Sequence, residues 1–444
     1  MNYENIALHV PEILLPGKGT DLTRWAVVAC DQYTSQPKYW ERVRDLVNGS
    51  PSTLSLIVPE AYLEEIDHEK TAHAIRTRME TYLSDGTLCP MKPGFILVDR
   101  QTSRTPSRKG LIVALDLEKY DFSEGSTSLI RATEGTVIDR LPPRVKIRAH
   151  APLELPHIMV LIDDPDKTVI EPLFHKTLEK VYDFELMMGG GHIKGYMIDK
   201  KEIMDEIAIN LAKLADPETF SKKYRVTGKD VLLYAMGDGN HSLATAKSVW
   251  EQIKNSAEDK DSVMEHPARH SLVELVNVHD AGLVFEPIHR VVFNVPVLDL
   301  LEKMNAFLKK QGQSFSYSQC SLQELNLFPG KGSGIHKIPF VSEKVCGTIH
   351  IDNPSLNLEA GTLQTFLDAF IRISPGAKID YIHGDDIVTA LGTKPGNMGF
   401  FLPAISKHDL FRTILLDGAL PRKTFSMGNA DEKRFYLECR KMSH

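Results

Sequence analysis

The sequence predicts a mixed α/β fold, α+β in arrangement, divided into more than one domain. Segments with apolar residues three and four apart, the spacing of one helix face, are interspersed with short β-rich runs bounded by turn residues. At 444 residues the chain exceeds the roughly 250 to 300 at which a single core stops growing. Apolar residues make up 42% and charged residues 25%, the balance of a chain that buries a core and does not stay disordered.

Helical spacing covers residues 71–83, 171–182, 201–214, 240–254, 297–310 and 361–373. Strand-like runs fall at 25–28, 94–98, 110–115, 157–162, 231–235, 283–292, 337–341 and 345–351. Residues 184–188 and 192–198 flank Gly189-Gly190-Gly191, which reads as a hairpin with a glycine-permitted turn. A phosphate loop there is the weaker reading, because the third glycine leads into a strand-like segment and not into a helix start. Prolines at both margins of 287–296, with a helical pattern straight after, set the boundary. Residues 1–292 are expected to form the core domain and 293–444 a C-terminal α/β domain that completes the site. Residues 315–333, rich in Ser, Gln and Gly, read as a surface connection.

Bulk charge narrows the function. A net charge of −7 opposes a surface that neutralises many nucleic-acid phosphates in a row, so any anion site is local. The cysteines Cys30, Cys89, Cys320, Cys346 and Cys439 are odd in number, widely spaced and free of C-x-x-C, which argues against a zinc knuckle or a disulfide frame. No run of 18 apolar residues suggests a membrane helix, and Met1-Asn2-Tyr3-Glu4-Asn5 lacks the basic start of an export signal. The expectation is a cytoplasmic protein with no membrane or nucleic-acid partner; a homodimer is left open.

Three places suit chemistry. The first is an apolar run at 231–236 followed by Gly237-Asp238-Gly239-Asn240-His241-Ser242 and a helical pattern, that is, strand, tight turn, helix. Glycines let the backbone approach a ligand, and a helix start offers unpaired N–H groups and a positive dipole end. Asp238 or Asn240 as a plain helix cap is the bland alternative. An acid, an amide, an imidazole and a hydroxyl at the end of a buried strand favour a ligand site. The G-x-x-x-x-G-K-[ST] spacing is missing.

The second place is 130–150, where Arg131, Arg140, Arg144 and Arg148 are candidates for pairing with phosphate oxygens and Glu134 for a base. The bland reading makes Arg144, Lys146 and Arg148 one polar side of a half-buried strand, alternating with Val145 and Ile147. The third combines His289 and Arg290 with Pro421-Arg422-Lys423-Thr424-Phe425-Ser426, two segments able to share an anion. Asp31 and Tyr33 form a similar case. H-E-x-x-H is absent, and no metal-ligating set is assigned.

With Asp238-Gly239-Asn240-His241-Ser242, the chain resembles the family named domain of unknown function 1015, whose usual motif is an Asp-Gly-His-His-Arg turn before a helix. The segment Arg131-Ala132-Thr133-Glu134-Gly135-Thr136, the strand Pro287-Ile288-His289-Arg290 and the tail Pro421-Arg422-Lys423-Thr424 match it in the same order. The resemblance implies a ParB/sulfiredoxin-like nucleotide-binding core, kinship with kinases of free L-serine, and phosphoryl chemistry. Asn240 and Ser242 stand where His and Arg are usual, so backbone phosphate binding is kept while the arginine's charge must come from elsewhere.

The expectation is a nucleotide-dependent phosphotransferase acting on a small hydroxylated metabolite, free L-serine among them. It would use ATP or ADP, with CTP as a further candidate, and Mg²⁺ bridging phosphate and carboxylate. Asp238, His241 and Glu134 are the catalytic candidates; Gly237, Gly239, Asn240, Ser242, Arg131, Arg140, Arg144, His289, Arg290 and Lys423 are the phosphate-binding ones. The rival is a nucleotide-binding regulatory protein that transfers nothing.

Overall fold

Consecutive residues of Phe95-Ile96-Leu97-Val98 point to opposite faces of a strand, and all four are apolar, so this strand needs cover on both sides. A computed structural model, which describes residues 2–136, 138, 141–330 and 334–443, supplies that cover. Phe95 and Leu97 join one core; Ile96 and Val98 join another. The chain divides into two units, one of residues 1–284 with 428–444 and one of residues 285–427.

The first unit holds β1 (Phe95–Gln101), β2 (Arg108–Asp116), β3 (Tyr120–Asp121), β4 (Ile130–Arg131), β5 (Met159–Ile162), β6 (Glu179–Leu186), β7 (Gly191–Ile198), β8 (Tyr234–Asp238) and β9 (His270–Asn277). They lie in the order β6-β7-β1-β2-β9-β5-β8-β4-β3, and an N-terminal ribbon of Asn2–Tyr3 and Leu8–His9 pairs onto β2. Its helices include α1 (His68–Ser84), α2 (Leu141–Arg148), α3 (Lys201–Leu214) and α4 (Asn240–Ser256). Met204, Ile207 and Leu211 of α3 and Leu243, Ala246 and Trp250 of α4 pack on one face of the sheet. Ile75, Met79 and Tyr82 of α1 cover the other with Trp25 and Trp40.

In the second unit β10 (His289–Phe293), β11 (Ser314–Cys320), β12 (Ile335–Ser342), β13 (Cys346–Asp352), β14 (Lys378–Ile382) and β15 (Met398–Phe400) form a sheet in the order β11-β13-β12-β15-β10-β14. Helices α5 (Val297–Lys310) and α6 (Glu359–Ile373) pack on it through Leu300, Met304, Leu363 and Phe366. The fold is mixed α/β, as the interspersed periodicities indicate.

Several segments depart from their local pattern. Residues 171–182, expected as a helix, form a 3₁₀ turn at Glu171–His175 and then enter β6, because pairing with β7 overrides a helical spacing. Residues 144–148 lie in α2 and not in a strand; Pro142 and Pro143 sit at its start, where a missing N–H breaks no bond. Residues 25–28 divide into a helical turn, Leu22–Trp25, and a two-residue strand, Val27–Val28. Within 315–333 lies most of β11, an edge strand with one side in water, which accounts for its polar composition. β9 is the unexpected central strand. All of its residues are buried, yet it carries Ser271, Glu274 and Asn277, which are held by Glu154, Arg434 and Asp164.

The last residues close the first unit. Phe435–Tyr436 (β16) pairs with Val27–Val28, and Arg440–Lys441 with Leu153–Glu154.

Candidate functional site

β8 ends at Asp238, Gly239 turns the chain, and α4 begins at Asn240. Gly239 has φ +80°, a left-handed conformation open to glycine at no steric cost. A Cβ there would also lie 3.2 Å from Ile158 Cα, so the turn is pressed against the chain entering β5. Glycine has no side chain to cap the helix, and the capping alternative for Asp238 or Asn240 is not what forms. Asp238 Oδ1 instead accepts from Gly239 N at 2.9 Å, while Ser242 N and Leu243 N donate to Gly239 O. The 17-residue helix therefore starts without a capping side chain, with the Asp238 carboxylate beside its positive end.

Lys433 completes the turn. Its Nζ lies 2.9 Å from Asp238 Oδ2, and their side chains keep 14% and 28% of their exposure, so the pair is sheltered but reachable. Burial pushes the Asp238 carboxyl up, but the Lys433 ammonium, with the Gly239 N–H, outweighs it and holds the group below its ordinary value. Asn240 Oδ1 is buried with no hydrogen-bond partner. Such a group is costly for a fold to keep unless something else uses it.

A chain of hydrogen bonds runs from the first turn of α4. Ser242 Oγ is 2.8 Å from His157 Nε2, and His157 Nδ1 is 3.0 Å from Tyr436 Oη. Tyr436 Oη donates to Cys30 Sγ at 3.0 Å and accepts from Cys30 N at 3.3 Å. Burial pushes the Cys30 thiol up to about 12. These four residues line one cavity of about 160 Å³, whose other walls include Leu56, Val58, Leu155 and Ile158. Two ion pairs, Arg144 with Glu60 and Arg148 with Glu154, also face it.

The sequence-derived candidates divide into groups. Gly237, Asp238, Gly239, Asn240, His241 and Ser242 are contiguous at the turn, with His241 half-buried in the first turn of α4. β4 runs parallel to β8, so the chain carrying half-buried Glu134 leaves the sheet at the end where Asp238 lies. Arg131 is a brace: its Nε donates to Ser128 O, and Nη2 to Thr127 O and Asp230 O. Arg140 lies outside the described residues. Arg144 is engaged with Glu60.

His289, Arg290 and Lys423 belong to the second unit. There Arg290 is fully buried, donating to Gln364 Oε1 and Ile288 O, and it stacks on Tyr381 at 4.5 Å. Lys423 Nζ approaches the same ring at 5.6 Å. His289 accepts from Leu402 N and pairs with Asp385; burial lowers its pKa despite that carboxylate. Lys433, His157, Tyr436 and Cys30 are the site residues that local reading misses. No spacing signal points to them, because strand pairing and the returning tail bring them together.

The model of the family described as "Protein of unknown function (DUF1015)" matches residues 14–370. The chain belongs to this family. No curated protein matches it. Among solved structures this DUF1015 chain is similar to a free serine kinase in complex with AMP, at 12% identity over 74% of this chain and 92% of that one, with a TM-score of 0.38. It is also similar to a conserved hypothetical protein from Pyrococcus furiosus (11% identity, 75% and 95% covered, TM-score 0.36). A third likeness is to SbnI with a C-terminal truncation from Staphylococcus aureus (9% identity, 72% and 82% covered, TM-score 0.35). These likenesses are too distant to bear on the chemistry.

Proposed function

We propose that the protein is a nucleotide-dependent phosphotransferase acting on a small hydroxylated metabolite, with free L-serine the first acceptor to test. The observation that carries this is the uncapped start of α4 beside Lys433. A nucleotide phosphate would lie at the positive dipole end of α4, as anions do at helix starts. Lys433 supplies the cation lost where Ser242 replaces the family's usual Arg.

Phosphoryl transfer asks mainly for positioning and charge stabilisation. Asp238, held ionised below its ordinary carboxylate range, would orient the acceptor hydroxyl, and Glu134 at the same end of the sheet is the second carboxylate. Among the described residues no three His, Cys, Asp or Glu side chains converge on one point. Mg²⁺ in such sites is held through one or two carboxylates plus substrate phosphates, and Asp238 fits that demand. The ion would supply neutralisation of the charge on the transferred group. ATP, ADP and CTP remain the nucleotides to compare.

The Lys433–Asp238 pair also favours a second reading, a nucleotide-binding regulatory protein, because each charge already has a partner. Incubation with each nucleotide, Mg²⁺ and hydroxylated amino acids, followed by phosphorus NMR, separates the two. A phosphorylated acceptor supports transfer. Nucleotide binding with no product for any acceptor supports the regulatory reading, and no binding of any nucleotide rejects both.

A further inference from the structure

The hydrogen bonds around His157 have a direction. Tyr436 has a single hydroxyl proton, and it donates that proton to Cys30 Sγ. Its contact with His157 Nδ1 at 3.0 Å is then a bond in which the ring N–H donates to Tyr436 Oη. With the proton on Nδ1, Nε2 carries the lone pair, and the 2.8 Å contact with Ser242 Oγ makes the serine the donor. This is the arrangement of a nucleophile, a base and a group that orients the base.

The three groups all face the cavity of about 160 Å³, and its wall of Leu56, Val58, Leu155 and Ile158 suits an uncharged carbon chain. Ser242 also sits in the first turn of α4, where the positive helix end favours a developing oxyanion. We infer that Ser242 is an activated nucleophile with His157 as its general base, and that this cavity takes small uncharged acyl esters. The inference needs no nucleotide; it shares the start of α4 with the phosphotransferase reading, and ester turnover in the absence of nucleotide tells the two apart.

The step balances without a further oxidant or reductant. Ser242 Oγ bonds to the acyl carbon as its proton passes to His157 Nε2, and the ester C–O bond breaks as the leaving alkoxide takes that proton from the imidazolium. Water then attacks the acyl carbon, gives a proton to Nε2 and releases the acid, and Ser242 recovers its hydroxyl proton. Tyr436 touches no reacting atom and is a positioning residue.

The test uses the full-length native protein. It is treated with diisopropyl fluorophosphate and mapped by peptide mass spectrometry, and p-nitrophenyl acetate and butanoate are assayed for turnover. The expected result is one adduct on Ser242, ester turnover lost in Ser242→Ala, and labelling in His157→Gln slowed by about 10² to 10⁴-fold, the contribution of a positioned base. Tyr436→Phe is expected to lower kcat with KM unchanged. Absence of an adduct on Ser242 in the native protein overturns the proposal whatever the variants do, as does full ester turnover in Ser242→Ala. Unchanged kcat in Tyr436→Phe overturns the assigned tautomer.

Discussion

Asp238 and Lys433 lie far apart in the sequence and 2.9 Å apart in space, at a helix start with no capping side chain. A hydrogen bond to a charged group contributes about 1.5–3 kcal/mol. Lys433→Ala is therefore expected to weaken ADP binding by about 10 to 100-fold, read by titration calorimetry. Asp238→Asn keeps the shape and removes the charge, so it is expected to impair turnover more than affinity. A second residue-scale effect concerns His9 and His270, whose rings stack at 4.0 Å. Burial lowers both, His9 to about 4 with help from Arg440, and His270 to about 2 with help from His9. Below the ordinary histidine value of about 6.5 the unfolded chain takes up protons that the folded chain refuses. Stability is then expected to fall as pH drops from about 6.5 toward 4, seen as a lower urea midpoint, and His270→Phe is expected to flatten that slope.

At the scale of elements, the strand, turn and helix of 231–256 were legible because each part follows from local chemistry: an apolar run, glycines, then helical spacing. The structure shifts the strand from the expected 231–235 to Tyr234–Asp238, and Gly239 alone makes the turn. Gly239→Ala is expected to destabilise the protein by about 1–2 kcal/mol through its left-handed φ alone, with the approach to Ile158 adding to it. A urea titration measures it. Other elements were not legible, for physical reasons that can be named. β9 carries Glu274 and Ser271 where a buried strand reads as apolar, because its partners Arg434 and Glu154 come from distant segments. α2 carries two prolines in its first turn, and its alternating charges imitate a strand's polar side.

At the scale of the whole molecule, the returning tail ties the first unit together and brings two residues to the candidate site. Arg434 is buried between Glu274 and Glu438, and Arg440 between Glu154 and the carbonyls of Pro267 and His270. Arg434→Met leaves two carboxylates buried without their cation and is expected to cost about 3–5 kcal/mol, measured by chemical denaturation. The same tail carries Lys433 and Tyr436, which no local motif connects with the turn. Arg131 shows the reverse case: its composition suggested a phosphate ligand, and the structure assigns its bonds to backbone carbonyls.

The measurement that bears most directly on the phosphate turn is backbone amide NMR during titration of the native protein with ADP and Mg²⁺. The largest shifts are expected at Gly237, Gly239, Asn240, His241 and Lys433. Saturable binding that leaves those amides unmoved, or no binding at all, would contradict a phosphate site there.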